Sequence, residues 1–103
     1  MSERSEIKRD GAIGQKNSGR GPYQKGDAKW KQFVVDYKEY SKSISISPSI
    51  WAKICTDTFK VSRSMHPVLK LILGDTQKIR LAVIEWSLLE ELVECWEEHN
   101  DVD

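Results

Sequence analysis

The sequence predicts an α/β domain in which a mixed β-sheet is flanked by helices. Three features carry that expectation. Phe33 to Lys38, FVVDYK, is rich in β-branched and aromatic residues and reads as a strand. Val68 to Leu73, VLKLIL, is almost continuously apolar, the pattern of a central strand covered on both faces. Two further stretches, 50–59 and 88–96, repeat their apolar residues at helical spacing. A chain of 103 residues has room for one core, so residues 1–103 read as a single domain.

In chain order, residues 2–10 read as a short polar helix. Residues 11–26 read as a flexible Gly-rich loop or strand; within them GQKNSGRGPYQKG holds four glycines and a proline, so a loop or broken hairpin is expected. An irregular segment of that length in so small a domain is more often functional than accidental. Asp27 to Trp30 pairs as a hairpin with the 33–38 strand, and SISIS at 43–47 alternates like an edge strand or extended lead-in. Ser47 as N-cap with Pro48 at the first helical position opens a helix whose stripe is Ile50, Trp51, Ile54, Cys55 and Phe59. After Pro67 and the 68–73 strand, IRLAVIE at 79–85 returns antiparallel across the GDTQK turn. Ser87 with Glu90 has the form of a capping box for an acidic C-terminal helix, 86–103 at its widest. Leu88, Leu89, Leu92, Val93 and Trp96 form its expected inward face, with Trp51 and Trp96 read as core.

The formal net charge of zero conceals a strong polarity. Residues 1–85 hold all 16 Lys and Arg against nine Asp and Glu, a net of +7, whereas 86–103 hold seven acids and no Lys or Arg. A basic body of this kind permits binding to a polyanion. No apolar run approaches the ~20 residues that span a bilayer, so no membrane association is expected. The charged start MSERSEIKRD does not read as a secretory signal, which gives a cytoplasmic expectation (host cytoplasm for a phage-encoded chain). Cys55 and Cys95 read as two reduced core thiols. Without a CxxC pair or a Cys/His cluster, a structural zinc site is not expected.

The chemistry concentrates on the 33–38 strand. Side chains alternate along a strand, so Asp36 and Lys38 share a face, roughly 7 Å apart at the backbone. One explanation is a solvated Asp/Lys face on an edge strand. The other begins with Asp27, nine residues earlier, which a hairpin brings beside Asp36. Two converging carboxylates repel, and an all-oxygen pair suits a hard cation such as Mg2+, with Mn2+ as a substitute. Lys38 beside such an ion is placed to orient the attacking water or to stabilise charge developing on a phosphate.

Gly26-Asp27 followed by Asp36-Tyr37-Lys38 resembles the motif of the PD-(D/E)XK nucleases, with glycine where proline often stands. The upstream run Gly11 to Gly19 with Lys25-Gly26-Asp27 looks like the segment preceding the motif in small phage and archaeal Holliday junction resolvases. Downstream, Lys42-Ser43, the helix with Trp51 and Lys53, and Pro67-Val68-Leu69 resemble their usual continuation. The resemblance spans roughly residues 11–85. It implies a restriction-endonuclease-like fold and a Mg2+-dependent endodeoxyribonuclease, with Asp27, Asp36 and Lys38 catalytic and Asp27 and Asp36 holding the metal. The family also implies a glutamate on the first helix as a metal ligand. Glu3 and Glu6 are the available ones, and Glu6 is carried into the set. Lys16, Ser18, Arg20, Gln24, Lys25 and Lys42 are the implied DNA contacts, although Ser18 reads equally as a turn serine and the basic residues as solvated surface.

Three readings of function follow. The first is a structure-selective endonuclease, a Holliday junction resolvase that works on four-way or branched DNA as a homodimer, because paired cuts need two sites related by a two-fold axis. Another nuclease on this fold, nicking or replication-associated, is the nearest alternative. The third is a non-catalytic DNA-binding module with a degenerate nuclease fold.

Overall fold

The structure, a computed structural model, describes residues 3–16 and 23–100, with side chains over 5–14 and 28–99. Its elements are α1 (Glu3–Asp10), β1 (Ile13–Lys16), β2 (Tyr23–Trp30), β3 (Phe33–Tyr40), α2 (Pro48–Val61), β4 (His66–Leu73), β5 (Ile79–Val83) and α3 (Trp86–Asn100). One five-stranded mixed sheet runs in the order β1-β2-β3-β4-β5. β1, β2 and β3 are antiparallel neighbours, β3 and β4 are parallel, and β5 returns antiparallel to β4. The parallel pair requires a crossover, and α2 supplies it. Among the described residues no helix is long and apolar enough to cross a membrane.

The pleat sorts the core into two layers. On one face Ala28, Val35, Tyr37 and Ile72 are buried, with Ile7 of α1, Trp30, Phe33 and Val68 packed against them. On the other, Ile54 of α2 packs with Leu69 and Leu71, joined by Ile44, Trp51, Leu73 and Val83. β4 contributes to both layers, as its unbroken apolar sequence predicts. The start of α2 is also as expected: Ser47 Oγ accepts from the Ile50 N–H at 3.3 Å, and Pro48 occupies the first turn.

Within the 11–26 segment, expected as a loop or broken hairpin, strand runs through Lys16 and again from Tyr23; residues 17–22 lie outside the described residues. Of the two readings of SISIS at 43–47 the extended lead-in remains, since it joins no ladder, and its Ile44 plugs the α2 layer. Other local expectations are corrected. Glu85, not Ser87, stands at the N-cap of α3, its carbonyl accepting from the N–H groups of Leu88 and Leu89. The helix therefore starts two residues too early for the Ser87–Glu90 box. Only Leu88 of its apolar set is buried, while Leu92, Val93 and Trp96 are exposed. Cys95 is exposed too, whereas Cys55 is half-buried, and both are free thiols.

Gly74 closes β4 with φ +110, a conformation side-chain-bearing residues avoid, and its N–H donates to the Tyr40 carbonyl at 3.2 Å. A Cβ there would meet the Gln77 carbonyl oxygen at 2.2 Å. Gly74→Ala combines left-handed strain with that clash. It is expected to lower stability by roughly 2 kcal/mol or more, read as a reduced urea midpoint at unchanged slope.

Candidate active site

Register creates the site. Asp27 on β2 is directly opposite Asp36 on β3. Directly opposed residues of an antiparallel pair occupy the same face of the sheet. Positions 27, 36 and 38 thus belong to one face, the α2 face, because Val35 and Tyr37 pack on the other.

Asp36 sits mostly out of water, its side chain 14% exposed, with Lys38 Nζ 3.2 Å from Oδ1. That is ion-pair range, but the approach misses hydrogen-bonding geometry, and Oδ1 has no hydrogen-bond partner among the described residues. Burial pushes the Asp36 carboxyl above its usual range, against the pull of the Lys38 and Lys53 ammonium groups. Asp57 on α2 adds to the rise by like-charge repulsion. Lys53 bridges to Asp57 at 3.0 Å, one helical turn away. The sequence reading missed this α2 pair, although i,i+4 spacing on an amphipathic helix was the available signal.

An orphaned, buried carboxylate oxygen opposite a second aspartate position is a donor set that fits a hard divalent cation. Asp27 and Asp36 are the residues that would hold it. Among the described side chains no three His, Cys, Asp or Glu groups converge closely enough to hold a metal; that of Asp27 is not among them.

Glu6 is not brought to this site. The sheet stands between them: Glu6 lies on the α1 face, where Arg80 donates Nε to Oε1 and Nη2 to Oε2, both at 3.0 Å. Lys70 Nζ lies 3.2 Å from Oε1. The forked Arg80 contact, aided by Lys70, holds the Glu6 carboxyl down to about 2 despite burial. Glu6 therefore drops out of the metal set as a correction, because two cations already occupy its lone pairs. Around the same lysine, Lys70 Nζ and the Tyr37 hydroxyl both donate to Asp10 Oδ2, at 2.7 and 2.9 Å. Burial, then Asp10, raises the Tyr37 phenol far above its ordinary range. Lys70, the one charge within VLKLIL, was the sequence signal for this network.

The remaining candidates separate. Lys16 ends β1 opposite Tyr23, and Gln24 and Lys25 lie on β2, so all three belong to the hairpin side of the sheet. Their side chains, and the whole of Ser18 and Arg20, lie outside the described residues. Lys42 is exposed beyond the end of β3, roughly 20 Å along the chain from Asp36 if extended. Comparison with protein-family models, curated proteins and solved structures finds no match to this chain.

Two expectations about stability follow. Glu6 has a folded pKa below its unfolded one, so its contribution is complete above about pH 4.5 and is lost as pH falls toward 2. Glu6→Gln should cost about 1–3 kcal/mol near pH 7 and converge on the wild type only as pH falls through 2, where the Glu6 carboxyl becomes neutral as well. Asp36 has the opposite sign. Its raised pKa means the ionised form opposes folding, so Asp36→Asn should melt higher than wild type at neutral pH without added metal. Calorimetry across pH reads both.

Proposed function

We propose that this chain is a metal-dependent, structure-selective DNA endonuclease, and most specifically a Holliday junction resolvase that acts on branched DNA as a homodimer. The observation that carries the reading is the register placing Asp27 opposite Asp36, with Lys38 beside Asp36 on the same face. Resemblance to the PD-(D/E)XK motif adds the substrate class, and the basic residues of β1, β2 and the segment between them add polyanion affinity.

The chain's own residues perform distinct tasks in this reading. Asp27 and Asp36 supply anionic oxygens, and Asp36, whose buried Oδ1 has no hydrogen-bond donor among the described residues, gains from a cation. A bound Mg2+ would supply Lewis acidity toward the scissile phosphate and a more acidic water. Lys38, with a third of its side chain exposed, is free to turn its ammonium from Asp36 to a non-bridging phosphate oxygen. There it offsets charge as water adds to phosphorus and the P–O bond to the leaving oxygen breaks; that oxygen then takes a proton. Lys53 on α2, 75% exposed at its side chain, extends positive charge at the rim.

One observation favours a second reading. With Glu6 committed to Arg80 and Lys70, no first-helix glutamate among the described side chains lies on the α2 face. A non-catalytic DNA-binding module on the same fold accommodates that arrangement.

Cleavage of a labelled four-way junction in Mg2+ and then in EDTA separates the readings. The nuclease reading expects metal-dependent paired cuts, at least about 100-fold slower in Asp27→Ala, Asp36→Ala and Lys38→Ala. Lys38→Ala should keep most junction affinity, and Lys16, Arg20 and Lys25 replaced together should weaken binding and flatten its salt dependence. Tight, metal-independent binding without any cut would select the module. Wild-type rates in either aspartate variant would remove the site.

A further inference from the structure

One end of the sheet carries three aromatic rings in a row. β2 ends and β3 begins there, and β4 begins beside them. The Lys31–Gln32 turn is tied to the start of β4, where the His66 N–H donates to the Gln32 carbonyl at 3.0 Å. Trp30 opposes Phe33 across the hairpin and Phe33 opposes His66 in the parallel register, so all three belong to the α1 face. The Trp30 and Phe33 rings stack, 5.9 Å between centroids and 23° between planes, and the tilted His66 ring follows at 6.2 Å. All three residues are half-buried, with Trp30 and Phe33 resting on the core of the α1 layer.

Charge gives this row its chemical character. Lys31, in the left-handed region at φ 55, places its ammonium over the Trp30 ring, 5.9 Å from the centroid. A solvated lysine, rather than core, therefore stands over that ring. Residues 28–35 and 58–66, which meet at this end, hold Lys29, Lys31, Lys60 and Arg63, all exposed, and no Asp or Glu. A cross-strand aromatic pair stabilises any hairpin, but that role requires no surplus of cations. Rings set among cations complement a polyanion that has flat apolar faces, which is the chemistry of unpaired nucleotides. We propose that the hairpin end is a base-stacking site for single-stranded DNA, with Trp30 as the platform.

An exposed cation–π contact is weaker than a base stacked on an aromatic side chain. A base therefore takes the place of the Lys31 ammonium over the ring, and the ammonium turns to a phosphate of the same strand. Bases inside a duplex are already stacked on their neighbours, so only an unpaired base offers a free face. The site is distinct from the proposed cut. Phe33 is three residues from Asp36 along β3, roughly 10 Å, and its row lies on the α1 face while Asp36 and Lys38 lie on the α2 face. The choice of DNA rests on the substrate class proposed above; the stacking geometry itself does not depend on the Asp27–Asp36 site.

Fluorescence anisotropy with the full chain in EDTA tests the site while metal-dependent cleavage is silent. The probes are labelled oligothymidylate of about 12 nucleotides and an abasic strand of equal length and charge. The wild type should bind the strand with bases on the order of 10-fold more tightly. Trp30→Leu, which keeps apolar volume against the core, should abolish that preference and leave affinity for the abasic strand unchanged. Lys31→Asn, suited to the left-handed turn, should keep the preference and lower the salt dependence by about one phosphate contact. Equal wild-type affinity for the two strands overturns the proposal without recourse to any variant. A Trp30→Leu loss that falls equally on both strands overturns it too, and marks the ring as structural. Oligouridylate bound more tightly than oligodeoxyuridylate overturns the assignment to DNA. Since no metal is present, none of these results depends on whether the Asp27–Asp36 site cuts.

Discussion

The pleat of β3 is the constraint to which the rest of the molecule answers. It sends Asp36 and Lys38 to the α2 side and Tyr37 to the α1 side, within a strand whose flanking positions are buried. Each layer must then compensate charge that has been withdrawn from water, and neither can borrow from the other. The α1 layer does so with its own groups. Lys70, opposite Tyr37 in the parallel register, reaches Asp10 and Glu6, and Arg80 completes the set. The α2 layer does so incompletely, leaving Asp36 Oδ1 without a hydrogen bond.

The two layers compensate their charges differently, although neither is complete, since Glu39 Oε1 on the Tyr37 side of β3 also lacks a hydrogen bond. The α1 network has the form of a structural clamp: several carboxylate oxygens, several donors and short distances, joining the N-terminal helix to strands at the far end of the sequence. Such networks fix geometry more than they add net stability, since desolvation offsets much of the attraction. On the α2 face one buried carboxylate is held above its usual range, with the Lys38 ammonium at ion-pair distance but outside hydrogen-bonding geometry.

What the sequence made legible follows from period and adjacency. Asp36 and Lys38 share a face by strand alternation alone, and the hairpin that opposes Asp27 to Asp36 needs only a two-residue turn at Lys31 and Gln32. The fate of Glu6 was illegible for a physical reason. Helical spacing shows which residues share a side of α1, but the side of the sheet it covers is settled by Lys70 and by Arg80, 74 residues away. The same limit applies to α3. Its apolar spacing was plain, yet spacing identifies a face and not its cover, so Val93 and Trp96 read as core and stand in solvent. Cys95 failed with them, for the same cause.

The sheet order also gives the zero net charge a spatial meaning. Lys16, Lys25, Lys29 and Lys31 belong to β1, β2 and the turn after them, on one side of the sheet, whereas α3 follows β5 on the other. Four strand spacings, roughly 19 Å, separate the two edges, about two Debye lengths at physiological salt. The glutamates of α3 therefore do little to cancel the positive field at the hairpin edge. Folding α3 back across β2 and β3 would neutralise that edge and cover the Asp36 face together. An acidic helix that follows β5 makes the β5 edge less favourable to a polyanion than the hairpin edge, so the charge polarity along the sequence becomes a polarity across the sheet.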